Sequence, residues 1–302
     1  MTGRSLLLAA CLLLQACSAG VTPVPLPSQP QPVTASPPPP RLEPFLARVR
    51  NAEYPLGAVD VPRSVRLSDG RYAEGSSSAD TLIVTMTDFL ALGDLDADGI
   101  DEAAALVAEQ YGGAVTYYFL VVYENDGGEP LYAASAYLDD RPLIYSLSIG
   151  EGKIEVQASV HTINDPTCCP SLRGVRRYVW HGPNLILTYY ATQTPGNQAR
   201  VITIEAPLEG AQVSGMVRLK GSVSIAPFEN TLVYRILDMG GVELSAGPVS
   251  VTSSQPGAVG TFETAIDLGR ILSNTTIRLV VQDLSPADGS LLAMDSVVLQ
   301  VR

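Results

Sequence analysis

From residue 81 onward, Gly, Asp, Asn and Pro cut the chain into short apolar runs, and this punctuation is the strongest constraint on its fold. Short β-branched and aromatic runs bounded by turn residues form strands, because they are too brief to build a helix with one continuous apolar face. Residues 81–92, 102–108, 115–123, 131–138, 143–149, 153–160, 177–180 and 185–190 fit that description. Tyr111-Gly112-Gly113, Asn125-Asp126-Gly127-Gly128 and Gly150-Glu151-Gly152 supply hairpin turns between them. Lys153-Ile154-Glu155-Val156-Gln157 alternates polar with apolar, as a half-buried strand does, whereas Val115 to Tyr123 is almost wholly apolar and belongs nearer the core. Only residues 45–52 suggest a short helix. The expected fold of residues 45–195 is therefore an antiparallel, β-rich (α+β) domain.

Thr192-Gln193-Thr194-Pro195-Gly196-Asn197-Gln198 is polar and turn-rich, suited to linking two domains. Beyond it, strands are expected near residues 201–207, 216–225, 231–238, 260–267, 275–283 and 295–301. About seven strands per hundred residues is the spacing of a β-sandwich. An ordered series of turn and core positions adds detail: Ile204, Pro207 and Gly210; Val217 and Gly221; Phe228, Glu229 and Thr231; Asp238 and Gly241; Gly260 and Phe262; Asp283, Ser285, Asp288, Gly289 and Ser290. In this order they resemble the immunoglobulin-like domain of bacterial spore germination proteins, over nearly all of residues 201–302. The resemblance implies a lipoprotein-associated, non-catalytic sandwich. It does not extend to sporulation, since residues 45–195 do not resemble the module often found beside that domain.

Charge narrows the function. The 302 residues hold 19 Lys plus Arg against 31 Asp plus Glu, a formal charge of −12, and no basic stripe, which excludes nucleic acid as a partner. Residues 45–195 carry 20 of the acids and 10 of the bases, so most of the negative field belongs to the first domain. A hydrophobic content of 46% is ample for a core, and two histidines leave little room for histidine-based catalysis.

The N-terminus reads as an address. Arg4 precedes an apolar run from Ser5 to Leu14, which ends in Leu14-Gln15-Ala16-Cys17. This resembles a bacterial lipobox, with residues 1–16 as signal peptide and Cys17 as the acylated residue. Leu8-Ala9-Ala10-Cys11 fits the same pattern but would leave too short an apolar run after Arg4. The alternative is an ordinary secretory signal in which Cys17 is incidental. Lipid on Cys17 would anchor the chain to a membrane without spanning it, each buried methylene contributing about 0.8 kcal/mol. Between residues 18 and 44, ten of 27 residues are proline. Proline lacks an N–H, so this stretch cannot join a sheet and favours polyproline II, as a tether of residues 17–44 would.

Gly93-Asp94-Leu95-Asp96-Ala97-Asp98-Gly99-Ile100-Asp101-Glu102 concentrates the acidity, six acids and no base lying between Asp88 and Glu102. Carboxylates at alternate positions of a tight loop, followed by glycine, suit a hard cation bound through oxygen. The expected ligands are Asp94, Asp96, Asp98, the Ile100 carbonyl and Glu102, and the expected ion is a structural Ca²⁺. Position 12 is Ala105, so the bidentate glutamate of the helix–loop–helix motif is missing, which points to weak binding. The loop resembles those of FG-GAP and integrin-type repeats, although it occurs once. The competing reading is an Asp/Gly turn whose carboxylates cap backbone N–H groups.

With Cys17 acylated, Cys168 and Cys169 are the remaining cysteines of the exported chain. They offer an adjacent-residue disulfide, two thiols or a link to another chain; a metal site with His161 is a further alternative. Pro166 and Pro170 flank them, which favours a fixed turn and a structural disulfide. Together Asn51-Ala52-Glu53-Tyr54, the Asp94 loop, Leu138-Asp139-Asp140-Arg141 and Asp165 to Pro170 resemble a module of bacterial envelope lipoproteins. Asp140-Arg141 fits either a surface pair or a buried bracket.

No Gly-x-Ser-x-Gly, His-Glu-x-x-His or phosphate loop is present, and the spacing singles out no carboxylate pair, with Asp88 and Glu109 among the acids considered. His181 beside Trp180 reads as a strand-end residue. The expected protein is thus a non-enzymatic, lipid-anchored component of the bacterial cell envelope, binding or organising an extracytoplasmic protein or polysaccharide. An extracytoplasmic hydrolase or carbohydrate-active protein with its site in residues 45–195 is the alternative, and a calcium-regulated adhesin a third. Replacing the anchor residue, Cys17→Ser, should move the protein from the membrane to the soluble fraction on cell fractionation; retention in the membrane would contradict the lipobox.

Overall fold

The computed structural model describes residues 42–302, apart from 60, 78, 79 and 114. The expected signal peptide (residues 1–16), Cys17 and nearly all of the proline-rich stretch lie outside the described residues. Helix α1 (Leu42–Val49) is followed by a small antiparallel pair, β1 (Glu53–Pro55) and β2 (Ser64–Arg66). Next comes a five-stranded antiparallel meander: β3 (Arg71–Glu74), β4 (Leu82–Gly93), β5 (Glu102–Tyr111), β6 (Thr116–Asp126) and β7 (Glu129–Asp140). A second meander of β8 (Leu143–Gly150), β9 (Lys153–Val160), β10 (Leu172–His181) and β11 (Asn184–Gln193) stacks on the first.

β5 is the middle of this three-layer stack. Successive side chains of a strand point to opposite faces, so a strand covered on both sides must be apolar throughout. Ala103, Ala105 and Val107 face Phe45, Val49, Tyr54 and Leu67 of α1 and the β1–β2 layer. Ala104 and Leu106 face Ile154, Val156 and Tyr178 of the second meander. The alanines keep both layers close. Where the strand ends, Glu109 is fully buried and accepts four hydrogen bonds: from Tyr54 Oη at 2.5 Å, Gly57 N at 2.7 Å, Ala58 N at 3.1 Å and Tyr111 Oη at 2.6 Å. This carboxylate ties the β1–β2 loop to the central sheet.

The remaining strands are β12 (Ala199–Arg200), β13 (Ile202–Ala206), β14 (Gln212–Val213), β15 (Met216–Val223), β16 (Thr231–Asp238), β17 (Glu243–Ser253), β18 (Gly260–Asp267), β19 (Thr275–Leu284) and β20 (Leu291–Val301). β13, β15 and β18 form one layer of a sandwich, and β16, β19 and β20 the other. β17 serves both, pairing with β16 through Ser250 and with β18 from Val251. Leu219, Leu232, Ile236, Ile277 and Leu279 lie in the core between them. Gly221 is required by close approach: a Cβ there would sit 2.2 Å from the Thr203 carbonyl oxygen and 2.3 Å from the Phe262 ring.

The two halves share a sheet. β11 pairs with β20 through Tyr189↔Asp295 and Tyr190↔Met294, so one hydrogen-bonded path of eleven strands runs through both, with β12 and β14 paired beside it. Residues 192–198 make the tight return from β11 to β12, with Thr194 N donating to Gln198 O at 2.9 Å. Thr192 Oγ1 donates to Leu292 O at 2.7 Å, and Arg200 pairs with buried Asp283 at 2.6 Å. Burial raises the Asp283 pKa, and Arg200 opposes that rise.

Several elements have no counterpart in the sequence expectations. β1, β2 and β3 are three or four residues long, too short to show a period. β17 contains Gly247 and Pro248, which interrupt any apolar run; Gly247 is there because the Tyr234 ring occupies the space, 2.6 Å from where a Cβ would stand. Arg200→Met leaves the Asp283 carboxylate buried without a partner and should cost about 3–5 kcal/mol in urea unfolding, whereas the double variant Arg200→Met/Asp283→Leu should recover most of the loss.

Candidate functional site

The acidic loop spans the turn from β4 to β5, and each carboxylate first serves its own backbone. Asp94 accepts from Ala97 N at 2.7 Å and Gly99 N at 3.0 Å, Asp96 from Asp98 N at 3.1 Å, and Asp98 from Ile100 N at 2.7 Å. These bonds need the left-handed backbone of Ala97 and Gly99, with φ of 67° and 86°. Glu102 begins β5, is only 2% exposed, and accepts from Leu95 N at 2.8 Å. The loop therefore has the hydrogen bonding of an Asx turn, with one acid drawn into the core.

Of the five expected ligands, Asp94, Asp96 and Glu102 each bring an oxygen within 4.8 Å of the others. Asp98 is not part of that group; Ile100, expected to contribute its backbone carbonyl and not its side chain, turns that side chain to solvent. Burial lifts the Glu102 carboxyl to about 7; the Leu95 N–H opposes this, and Asp96, Asp98 and Asp94 add repulsion. A divalent cation would offset both burial and repulsion, so the three converging oxygens fit a hard ion. The oxygens that fold the loop overlap with those that would bind the ion.

Cys168 and Cys169 are bonded to one another at the exposed tip of the loop between β9 and β10. Asp165 clamps that loop: it accepts from Thr162 N at 2.8 Å, Ser171 N at 2.9 Å and Ser171 Oγ at 2.8 Å. At the loop's base Asp139 accepts from the backbone N–H of His161 at 2.6 Å and from its ring Nδ1 at 2.9 Å. His161 Nε2 is buried with no hydrogen-bonding partner among the described residues. Thus His161 is committed to Asp139 rather than to the cysteines, a pairing across 22 residues that no local motif signals. Next to it Asp140 forms a half-buried bracket, bound by Arg141 at 2.6 Å and by Thr116 N at 2.9 Å. Asp88 is exposed and pairs with Arg50 at 3.0 Å, far in character from buried Glu109. His181 closes β10, as its place in the sequence suggests.

A run of tyrosines crosses the sheet near the Asp139–Asp140 end of β7. Tyr111 and Tyr117 have ring centroids 6.3 Å apart, Tyr117 and Tyr137 6.1 Å, and Tyr137 is 52% exposed. The sequence shows the tyrosines, but only strand pairing lines them up.

The sequence profile of the immunoglobulin-like domain of bacterial spore germination matches residues 201–290. That segment runs from β13 to the turn before β20, and its two-layer antiparallel packing agrees with the match. No curated protein matches the chain. Residues 42–200 lie outside the matched segment.

The Asp165 clamp sets a pH dependence. Burial acts to raise this carboxyl, but the bonds from Thr162 and Ser171 outweigh it and hold the pKa at about 2, against 3.8 for a free side chain. Stability from the clamp is complete above pH 3.8 and is lost as pH falls through about 2. Thermal melts between those limits should show a shallower acid decline for Asp165→Asn than for the wild type. Parallel curves would show that the clamp contributes nothing.

Proposed function

Taking residues 201–290 as an immunoglobulin-like domain of the kind found in bacterial spore germination, we propose that the chain is a non-catalytic, lipid-anchored component of the bacterial cell envelope. In this reading Cys17 carries the lipid, the proline-rich stretch holds the folded part off the membrane, and the domains bind or organise an extracytoplasmic partner. The domain match carries the reading: this fold serves as a binding or spacing module, and it is joined to residues 42–200 by a shared sheet. The acidic loop acts as a staple. Ca²⁺ on Asp94, Asp96 and Glu102 would fix the β4–β5 turn and hold the Glu102 carboxylate ionised.

A site without a bidentate twelfth-position ligand binds weakly, in the range of about 10⁻⁴–10⁻³ M typical of extracellular modules. At ten times Kd such binding stabilises the folded state by about 1.4 kcal/mol, or roughly 3–6 °C in Tm. Calorimetric titration with Ca²⁺ should show this affinity and shift, and Asp94→Ala and Asp96→Ala should reduce both. No heat and no shift at millimolar Ca²⁺ would remove the staple.

The tyrosine run supports a second reading, a carbohydrate-binding surface on the first domain. Aromatic faces offer apolar area to the C–H groups of a sugar ring, and Asp139 and Asp140 lie close to Tyr137. If so, the protein should sediment with an insoluble polysaccharide, and Tyr137→Ala should weaken that retention by about tenfold, some 1.4 kcal/mol. Equal retention of variant and wild type would count against it.

A further inference from the structure

The seam between the two halves is shorter than the strands that meet there. Beyond Tyr189↔Asp295, β11 and β20 part, and side chains replace the missing backbone partners. Ser296 Oγ donates to Thr188 O at 2.8 Å, and Arg278 Nη1 donates to Leu187 O at 2.7 Å. A cavity of about 250 Å³ opens beside this gap. Val179, Ile186, Met239 and Val298 give it apolar walls, while Arg278 and Lys153 also line it. Cavities between domains with a few convergent polar groups are the usual setting for small ligands.

The charges in this cavity are not all alike. Asp295 accepts from Ile204 N at 2.8 Å and Ser296 N at 2.9 Å, and Glu209 accepts from Val298 N at 3.0 Å. Both acids are therefore engaged in holding strands together. Arg177 is paired with Glu155 at 2.9 Å and lies over the Tyr189 ring. Arg278 and Lys153 form no ion pair among the described residues. Arg200, by contrast, is matched to Asp283. Burial also pulls the Arg278 pKa below the usual arginine value. Nη1 of Arg278 is spent on Leu187, which leaves Nε and Nη2, the edge of a guanidinium that grips a carboxylate with two parallel bonds.

We propose that this cavity binds a small monocarboxylate with a short apolar body. The carboxylate is held by Arg278 and Lys153, and the hydrocarbon lies against Val179, Ile186, Met239 and Val298. A single negative charge suits the site better than a phosphate dianion, because Asp295 and Glu209 in the same cavity repel the second charge.

Isothermal titration of the full chain with hexanoate tests it, with hexanamide and inorganic phosphate as comparison probes. Hexanoate should bind with a Kd of about 1 mM, equivalent to roughly −4 kcal/mol, and both comparison probes at least about tenfold more weakly. Arg278→Met should weaken hexanoate binding by about tenfold or more. Lys153 pairs with Gly150 through its backbone, and its side chain makes no hydrogen bond among the described residues, so Lys153→Met keeps the fold and should weaken binding even if Arg278→Met fails to fold. No heat with hexanoate would overturn the proposal. So would equal binding of hexanamide, equal binding of phosphate, or wild-type affinity in the Lys153→Met variant.

Discussion

The burial of β5 on both faces is the constraint on which the first domain depends. A central strand covered from two sides has no solvent-facing positions, so its polar residues are forced to its ends. Glu102 and Glu109 occupy those ends and are buried in very different ways. Glu109 has four donors and acts as the anchor of the β1–β2 layer. Glu102 has one backbone donor and three aspartates for neighbours, so its charge is poorly compensated by the protein alone. The same strand therefore produces a structural bracket at one end and a candidate cation site at the other.

The second organising feature is the junction of β11 with β20. Two residue pairs are a small backbone contact, and the surroundings reinforce it with Thr192, Ser296, Arg278 and the Arg200–Asp283 pair. Tyr190, Val280 and Met294 add a small apolar cluster at the same place. The consequence is a shared sheet in place of a free linker. A chain built this way presents both domains in fixed register, and the strands that part beyond the junction leave the cavity beside it.

Much of this was legible in the residues. Gly-rich turns at 111–113, 125–128 and 150–152 mark real hairpins, because a positive φ at a tight turn is a local requirement that glycine meets. The apolar run at 115–123 marks a buried strand for an equally local reason. The immunoglobulin-like segment was legible through its ordered turn and core positions. Less visible were β17, whose Gly247 answers to the Tyr234 ring, and the Asp139–His161 pair, whose partners meet only after β7 and the base of the β9–β10 loop are brought together. The Asp94 loop was legible as an acidic turn. That Glu102 is withdrawn into the core while Ile100 faces solvent depends on the layers packed around β5.

The sequence by itself determined the class of fold, the division of charge and the places where the chain reverses. Those properties follow from local rules: side-chain period, backbone freedom at glycine, and the missing N–H of proline. Only the tertiary structure decided which acids are buried and how they are compensated, and that residues 192–198 close a hairpin instead of spanning a gap. It also decided that Arg278 lines a cavity with no carboxylate partner among the described residues. Each of these depends on what lies across a sheet or a seam from the residue, and that separation in sequence carries no local signal.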